Sequence, residues 1–265
     1  MNPQPIFDRL WKDYTEQNPS VLSVYNLFIE AGEPVVNDHI AFRTFDDERI
    51  NIDMLAKSFL AAGYAFKGEY FFEAKHLFAK HFELEGYPRV FISELKTKDF
   101  SSFLQKTVKK IVDTIPSNML ESETLIYSGN VWGIPSFEIY EKLREESEYA
   151  AWLYVNGFCA NHFTVSVNHL RKYPTVELVN QLIKENGFTI NDSGGEIKGT
   201  PAELLEQSST RSEINKVSFL EGTKEIPGCY YEFARRYPDA DGKNYSGFIA
   251  KSADKIFEST DLVKK

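Results

Sequence analysis

The chain opens with two stretches of helical period. Over residues 5–14, Ile6, Leu10 and Trp11 recur every three to four positions and share one helix face. Val21, Val24, Leu27 and Phe28 repeat the pattern, with Ser20 as the expected N-cap and Gly32 just past the end. At Asp38 the period drops to two: DHIAFRTF, 38–45, alternates polar and apolar through most of its length and predicts a half-buried strand. A helix is predicted over 52–62, closed by Gly63, followed by strands over 64–72, 76–84 and 89–95. From 99 to about 152 the pattern is helical and charged. Phe103, Val108, Ile111 and Val112 mark one helix, and Phe137, Tyr140, Leu143 and Arg144 mark another over 135–154.

Then the earlier order returns. NHFTVSV, 161–167, reads as a strand, and 175–186 as a helix through Val176, Val179, Leu182 and Ile183, ended by Gly187. Strands follow at 188–192, near 208–212, at 216–220 and at 229–234. Both halves run strand, helix, strand, strand, strand. Both open on an acid or its amide followed by histidine, Asp38-His39 and Asn161-His162, 123 residues apart. This predicts an internal duplication and an α+β fold, two such modules with N-terminal and central helical layers. The expected layout is N-terminal helices over 1–32, a first module over 36–96, a helical insertion over 97–157 and a second module with a C-terminal segment over 158–265. No linker rich in Pro, Gly or Ser divides the halves, so one compact domain is expected.

Composition narrows the class. The 265 residues carry 39 acidic and 30 basic side chains, a formal net charge of −9, which argues against coating nucleic acid. No apolar run approaches the roughly 20 residues of a membrane helix. The first residues lack the pattern of a secretory signal. Cys159 and Cys229 fit no C-x-x-C motif and read as two thiols, giving a cytoplasmic expectation. Aromatic residues make up 14%, and Phe alone numbers 21. They are expected in the strands carrying Phe42, Phe163, Tyr231 and Phe233, around the site.

Of the five histidines, His76, His81 and His169 read as surface or supporting residues. His39 and His162 stand out because they occupy equivalent points of the two modules. Glu232 lies in an aromatic strand, flanked by Tyr230, Tyr231 and Phe233, where a carboxylate is costly to bury unless paired or bound to a cation. Its expected counterpart in the first module is Glu94. His39, His162 and Glu232 can therefore converge on a metal. Two histidines and one carboxylate suit non-haem Fe(II), and the same donors suit zinc hydrolysis. Arg43, four residues after His39, shares its side of the strand and suits a substrate carboxylate through its planar fork. The plain alternative is an ion pair with a nearby acid such as Glu94. Arg235 and Arg236 add positive potential, one of them at a solvated strand end. GGEIKGTP, 194–201, reads as a turn near the mouth.

The segments DHIAFRTF, YFF with RVFISEL, NHFTVSV, GGEIKGTPAELLEQSSTRS, CYYEFARR and YSGFIAKSADKIFEST together resemble the 2-oxoadipate dioxygenase/decarboxylase family, over most of the chain. The resemblance implies a vicinal-oxygen-chelate-like curved sheet built from strand-helix-strand-strand-strand units. It implies Fe(II) held by His39, His162 and Glu232, with Zn or Mn able to occupy the same donors, and substrate binding by Arg43 assisted by Ser252. The implied reaction consumes molecular oxygen and converts 2-oxoadipate to 2-hydroxyglutarate and carbon dioxide in lysine breakdown. Lys251 stands where a small apolar residue is expected and would add a charge that alters which acid is accepted. Rival readings are a metal-dependent hydrolase or isomerase on the same fold, and a non-catalytic small-acid binding protein.

Overall fold

The computed structural model describes residues 2–249. Helices α1 (Gln4–Gln17) and α2 (Pro19–Glu30) come first. Ser20 is not the cap expected of it. Pro19 opens α2, its fixed φ suiting the first helical position, and Ser20 instead donates from both N and Oγ to Glu213 at 2.9 and 2.7 Å.

The first module holds β1 (Asn37–Phe45), helices α3 (Ile52–Leu55) and α4 (Lys57–Ala61), then β2 (Ala65–Phe72), β3 (Leu77–Glu83) and β4 (Arg89–Leu95). The helix expected over 52–62 is thus two short pieces meeting at Ala56. The insertion carries α5 (Ser102–Asp113), α6 (Ser117–Leu120), α7 (Phe137–Glu146) and α8 (Glu148–Asn156). The single helix expected over 135–154 breaks at Ser147. That residue has extended backbone and caps α8, accepting a hydrogen bond from the Ala150 amide. Gly157 then turns the chain into the second module with φ of 66°. A Cβ there would sit 2.1 Å from the Gly129 carbonyl oxygen, so only glycine fits.

The second module holds β5 (Ala160–Ser166), α9 (Val176–Glu185), β6 (Lys198–Thr200) and β7 (Leu205–Ser209). A hairpin of β8 (Ile214–Phe219) and β9 (Gly222–Pro227) comes next, then β10 (Glu232–Arg236). Several expectations shift here: the strand expected near 208–212 is β7 over Leu205–Ser209, and the one expected at 229–234 begins only at Glu232. The 188–192 segment makes only a bridge between Ile190 and Thr210. The 216–220 strand belongs to the separate hairpin. The stretch read as a turn near the mouth supplies the edge strand β6.

Eight strands form one sheet in the order β2-β3-β4-β1-β5-β10-β7-β6, strongly curled into a half-barrel. The order is symmetric about the β1–β5 junction. β1 pairs parallel with β4 as β5 pairs parallel with β10, and β1 meets β5 antiparallel. The duplication is therefore real in topology, with β8–β9 inserted into the second copy.

β1 and β5 are buried along nearly their whole length rather than half-buried, because both faces of the central strands are covered. On one face α1 and α2 pack: Trp11 and Tyr14 lie 5.0 Å, ring to ring, from Phe163, and Phe28 lies 5.9 Å from Phe233. Tyr231 meets Trp11 on that side as well. Phe163, Tyr231 and Phe233 thus build the helix-facing core, and the aromatics beside the candidate site are a different set.

Candidate metal centre

The opposite face of the junction carries the polar cluster. Thr164 of β5 is in register with His39 of β1 on one side and with Glu232 of β10 on the other. His162 is two residues away on β5, opposite Ala41. Thr164 is short, so the longer flanking side chains lean over it and meet. His39 Nε2 lies 3.4 Å from Glu232 Oε1, and His162 Nε2 lies 3.3 Å from Glu232 Oε2. One donor atom from each of the three residues falls within 4.8 Å of the others, and all three residues are buried.

The surroundings fix which nitrogen faces inward. His39 Nδ1 is 2.9 Å from Asp38 Oδ2, and His162 Nδ1 is 3.0 Å from Asn161 Oδ1. Both oxygens are acceptors, so each Nδ1 donates its proton outward and each Nε2 presents a lone pair. Thr164 Oγ1 sits 3.1 Å from His39 Nε2. Gln207 Nε2 donates to Glu232 Oε1 at 2.5 Å, while Glu232 Oε2 has no hydrogen-bond partner.

Two lone pairs aimed at a fully buried carboxylate are mutually unfavourable unless a cation lies among them. The titration behaviour says the same. Burial pushes Glu232 up to about 8, against the Gln207 hydrogen bond. Burial lowers His39, against its bond to Asp38, and holds His162 well below the usual imidazole range, with His39 and Arg43 adding to the effect. Asp38 behaves oppositely. Burial alone would raise it, but the Arg236 guanidinium beside it and its bond to His39 hold it well below the carboxylate range. The donor set fits a divalent cation: two neutral imidazoles and one carboxylate, oriented from behind and leaving positions open.

A small cavity adjoins these donors, lined by Arg43, Phe42, Phe91, Ser93, Gln207 and Phe248 as well as the three ligands. Arg43 is 1% exposed. It does pair with a nearby acid, Glu148 at the start of α8, 3.3 Å away, in place of Glu94. Its guanidinium lies 4.9 Å from the Tyr149 ring centre and 5.0 Å from that of Trp152. The charge thus lies over two rings at the wall of the cavity. Glu94 points to the other side of β4, accepting a hydrogen bond from the Ile52 amide.

The remaining sequence candidates separate cleanly. His76 pairs with Asp99 at the surface. His81 is buried, between the Tyr70 hydroxyl and Glu83, and touches Phe248. His169 bonds Ser166. Arg236 is buried on Asp38, whereas Arg235 lies over Tyr237. Ser252 and Lys251 lie outside the described residues. Sequence reasoning named neither Thr164, Gln207, Glu148 nor Phe248. The repeated residue before each histidine was the one available signal for the orienting pair Asp38 and Asn161.

This arrangement has close relatives. The family model described as 2-oxoadipate dioxygenase/decarboxylase matches residues 6–244. The chain belongs to that family, which is a family of enzymes. An Arabidopsis thaliana chloroplastic 2-oxoadipate dioxygenase/decarboxylase is 36% identical over 275 residues, covering 93% of this chain and 74% of the relative. The crystal structure of a hydroxyglutarate synthase from Oryza sativa in complex with 2-oxoadipate superposes with a TM-score of 0.91 at 33% identity, covering 97% of this chain and 91% of that one. A Shewanella frigidimarina structure, provisionally named a hydrolase, gives 0.89 at 46% identity, covering 94% and 98%. A glyoxalase-superfamily structure from Ralstonia eutropha, TM-score 0.73 at 19% identity over 90% of this chain and 83% of that one, shares the fold. The expected curved-sheet fold is met.

Proposed function

We propose that this protein is a non-haem Fe(II) dioxygenase/decarboxylase that takes a 2-oxo dicarboxylic acid, 2-oxoadipate, and O2 to 2-hydroxyglutarate and CO2. The observation that carries the reading is one cavity lined by both the His39–His162–Glu232 donor set and Arg43. The family membership and the 2-oxoadipate bound by the rice relative support it. The reaction balances: the C1 carboxylate leaves as CO2, one oxygen atom of O2 enters the carboxylate formed at the former keto carbon, and the other forms the new hydroxyl.

Bound Fe(II) would supply open coordination positions for the 2-oxo acid and for oxygen, and the electrons that begin oxygen reduction; Zn and Mn fit the same donors. The chain's own residues do the rest. Asp38 and Asn161 keep the Nδ1 protons outward, so both Nε2 atoms stay available as ligands. Arg43 binds the distal carboxylate of the substrate with its fork, sharing its donors with Glu148. Phe42, Phe91 and Phe248 keep water from the cavity, which strengthens that charge pair. Roles for Ser252 in substrate binding and for Lys251 in the choice of acid rest on the sequence resemblance alone. The free thiols of Cys159 and Cys229 support a cytoplasmic setting. No described helix is long and apolar enough to cross a membrane, and the net charge of −9 argues against nucleic acid as a partner. The proposed role is in lysine breakdown.

The test is oxygen uptake with Fe(II) across a panel of 2-oxo acids, with CO2 release followed in parallel. Equal uptake and release with a six-carbon diacid is expected. No uptake with any member rejects the reading. Anaerobic turnover of a substrate with Zn would favour the hydrolase that the Shewanella relative's name suggests.

A further inference from the structure

Arg236 places all its donors in one small region. Its Nε and Nη2 donate to the two oxygens of Asp38 at 2.8 and 2.9 Å. Its Nη1 donates to the carbonyls of Tyr245 and Gly247 at 2.9 and 2.7 Å. The same guanidinium lies 5.1 Å from the Phe248 ring centre. Asp38 in turn accepts from His39 Nδ1. Phe248 packs edge-on against His39 at 4.9 Å and against Phe91 at 4.7 Å, and its amide donates to the Tyr70 hydroxyl. One side chain thus joins the group that orients a metal ligand to the segment that walls the cavity.

The other module sharpens the point. Asn161, which orients His162, is neutral, and its Nδ2 has no hydrogen-bond partner. His162 is oriented without a brace. His39 is oriented by an anion held in a two-pronged clamp, and the clamp's remaining arm reaches a different part of the chain. A fork is needed for this: a lysine in place of Arg236 offers a point charge and cannot hold Asp38 on two bonds while also reaching two carbonyls.

We infer that Arg236 is a positioning residue that couples the seating of the 245–248 segment to the orientation of the metal ligand His39. When the segment is seated, Arg236 is fixed on four acceptors and aims His39 through Asp38; when it lifts, Arg236 loses the two carbonyls and is freed to turn from Asp38, which then keeps only the longer 3.4 Å contact from Arg89 Nη1, and the cavity loses its Phe248 wall. Cation affinity and segment seating are then thermodynamically linked, each raising the other by the same factor. The inference rests on the donor set proposed above.

The experiment uses the full chain with Mn2+ as the probe. Amide exchange at residues 245–249 is followed with and without Mn2+, and Mn2+ affinity is measured by titration calorimetry. In the wild type Mn2+ is expected to slow exchange there about tenfold. Arg236→Lys is expected to weaken Mn2+ binding roughly 10–100-fold, as loss of outer-sphere support does, and to abolish the slowing. Phe248→Ala removes no ligand, yet it is expected to weaken Mn2+ binding by the factor by which Mn2+ protects the segment. That comparison decides the matter if Arg236→Lys does not fold. Exchange indifferent to bound Mn2+ in the wild type overturns the coupling alone. So does Arg236→Lys with wild-type affinity and protection. Failure of the wild type to bind Mn2+ or Fe(II) overturns the coupling and the metal reading together.

Discussion

Phe91 stands in the first module where Glu232 stands in the second. Phe91 pairs with Ala41, two residues past His39, and Glu232 pairs with Thr164, two residues past His162. The duplicated frame therefore delivers two histidines but one carboxylate, with an aromatic wall at the other equivalent position. Glu94, three residues beyond Phe91, falls on the opposite face of its strand. Glu232→Gln is expected to lower divalent-cation affinity by more than about 100-fold, beyond the usual cost of an outer-sphere change. Glu94→Ala is expected to leave affinity unchanged and to cost on the order of 1 kcal/mol by removing the acceptor at the Ile52 amide. Calorimetric titration with Mn2+ and a denaturant melt separate the two.

The metal-free protein has a distinctive response to pH. Glu232 is raised to about 8, so between the ordinary carboxylate range and pH 8 the folded chain holds a proton that the unfolded chain has lost. Stability falls as pH rises through that window. His39 and His162 are lowered, so they make stability rise with pH, mostly below about 6.5, where the unfolded imidazole is already half deprotonated. From about pH 6.5 to 8 the Glu232 contribution, at most about 2 kcal/mol, outweighs what the two imidazoles still add in the opposite direction. The chelated protein is expected to melt at lower temperature at pH 8 than at pH 6.5. Saturating Mn2+ or Glu232→Gln should each remove the difference, and scanning calorimetry at the two pH values reads it.

Arg43→Lys separates substrate binding from metal binding. Lysine loses the paired fork and its place over Tyr149 and Trp152. A lost charge-assisted hydrogen bond costs about 1.5–3 kcal/mol, which corresponds to about 10–100-fold in KM for a 2-oxo dicarboxylic acid. Metal affinity and turnover of a 2-oxo monocarboxylic acid of similar length should change little. Steady-state kinetics on both acids, beside a metal titration, makes the comparison. Unchanged KM for the diacid would remove Arg43 from the substrate site.

Thr164 keeps the space above it open. Thr164→Leu is expected to place its side chain between His39 and Glu232 and to abolish stoichiometric metal binding. Thr164→Val keeps the shape and is expected to retain the metal. Elemental analysis of Fe(II)-reconstituted variants gives the ratio directly.

Much of this was legible in the linear pattern. The change of period at Asp38 and again at Asn161 marks the two modules, and the paired residues Asp38-His39 and Asn161-His162 mark equivalent points in them. A carboxylate in the strand of Tyr230–Phe233 was expensive enough to demand a partner. Side-chain period and burial cost are local properties, so the sequence by itself determined the repeat, the three candidate ligands and the side of β1 on which Arg43 lies. Register and crossing partners are not local. Only the tertiary structure decided that Phe91 rather than Glu94 matches Glu232, because that depends on how far β4 slides along β1. It also decided that Phe163, Tyr231 and Phe233 face the N-terminal helices. The partner of Arg43 is Glu148, 105 residues away. That contact, like the hold of Arg236 on Asp38 across 198 residues, arises only when the curled sheet and its helices bring distant segments together.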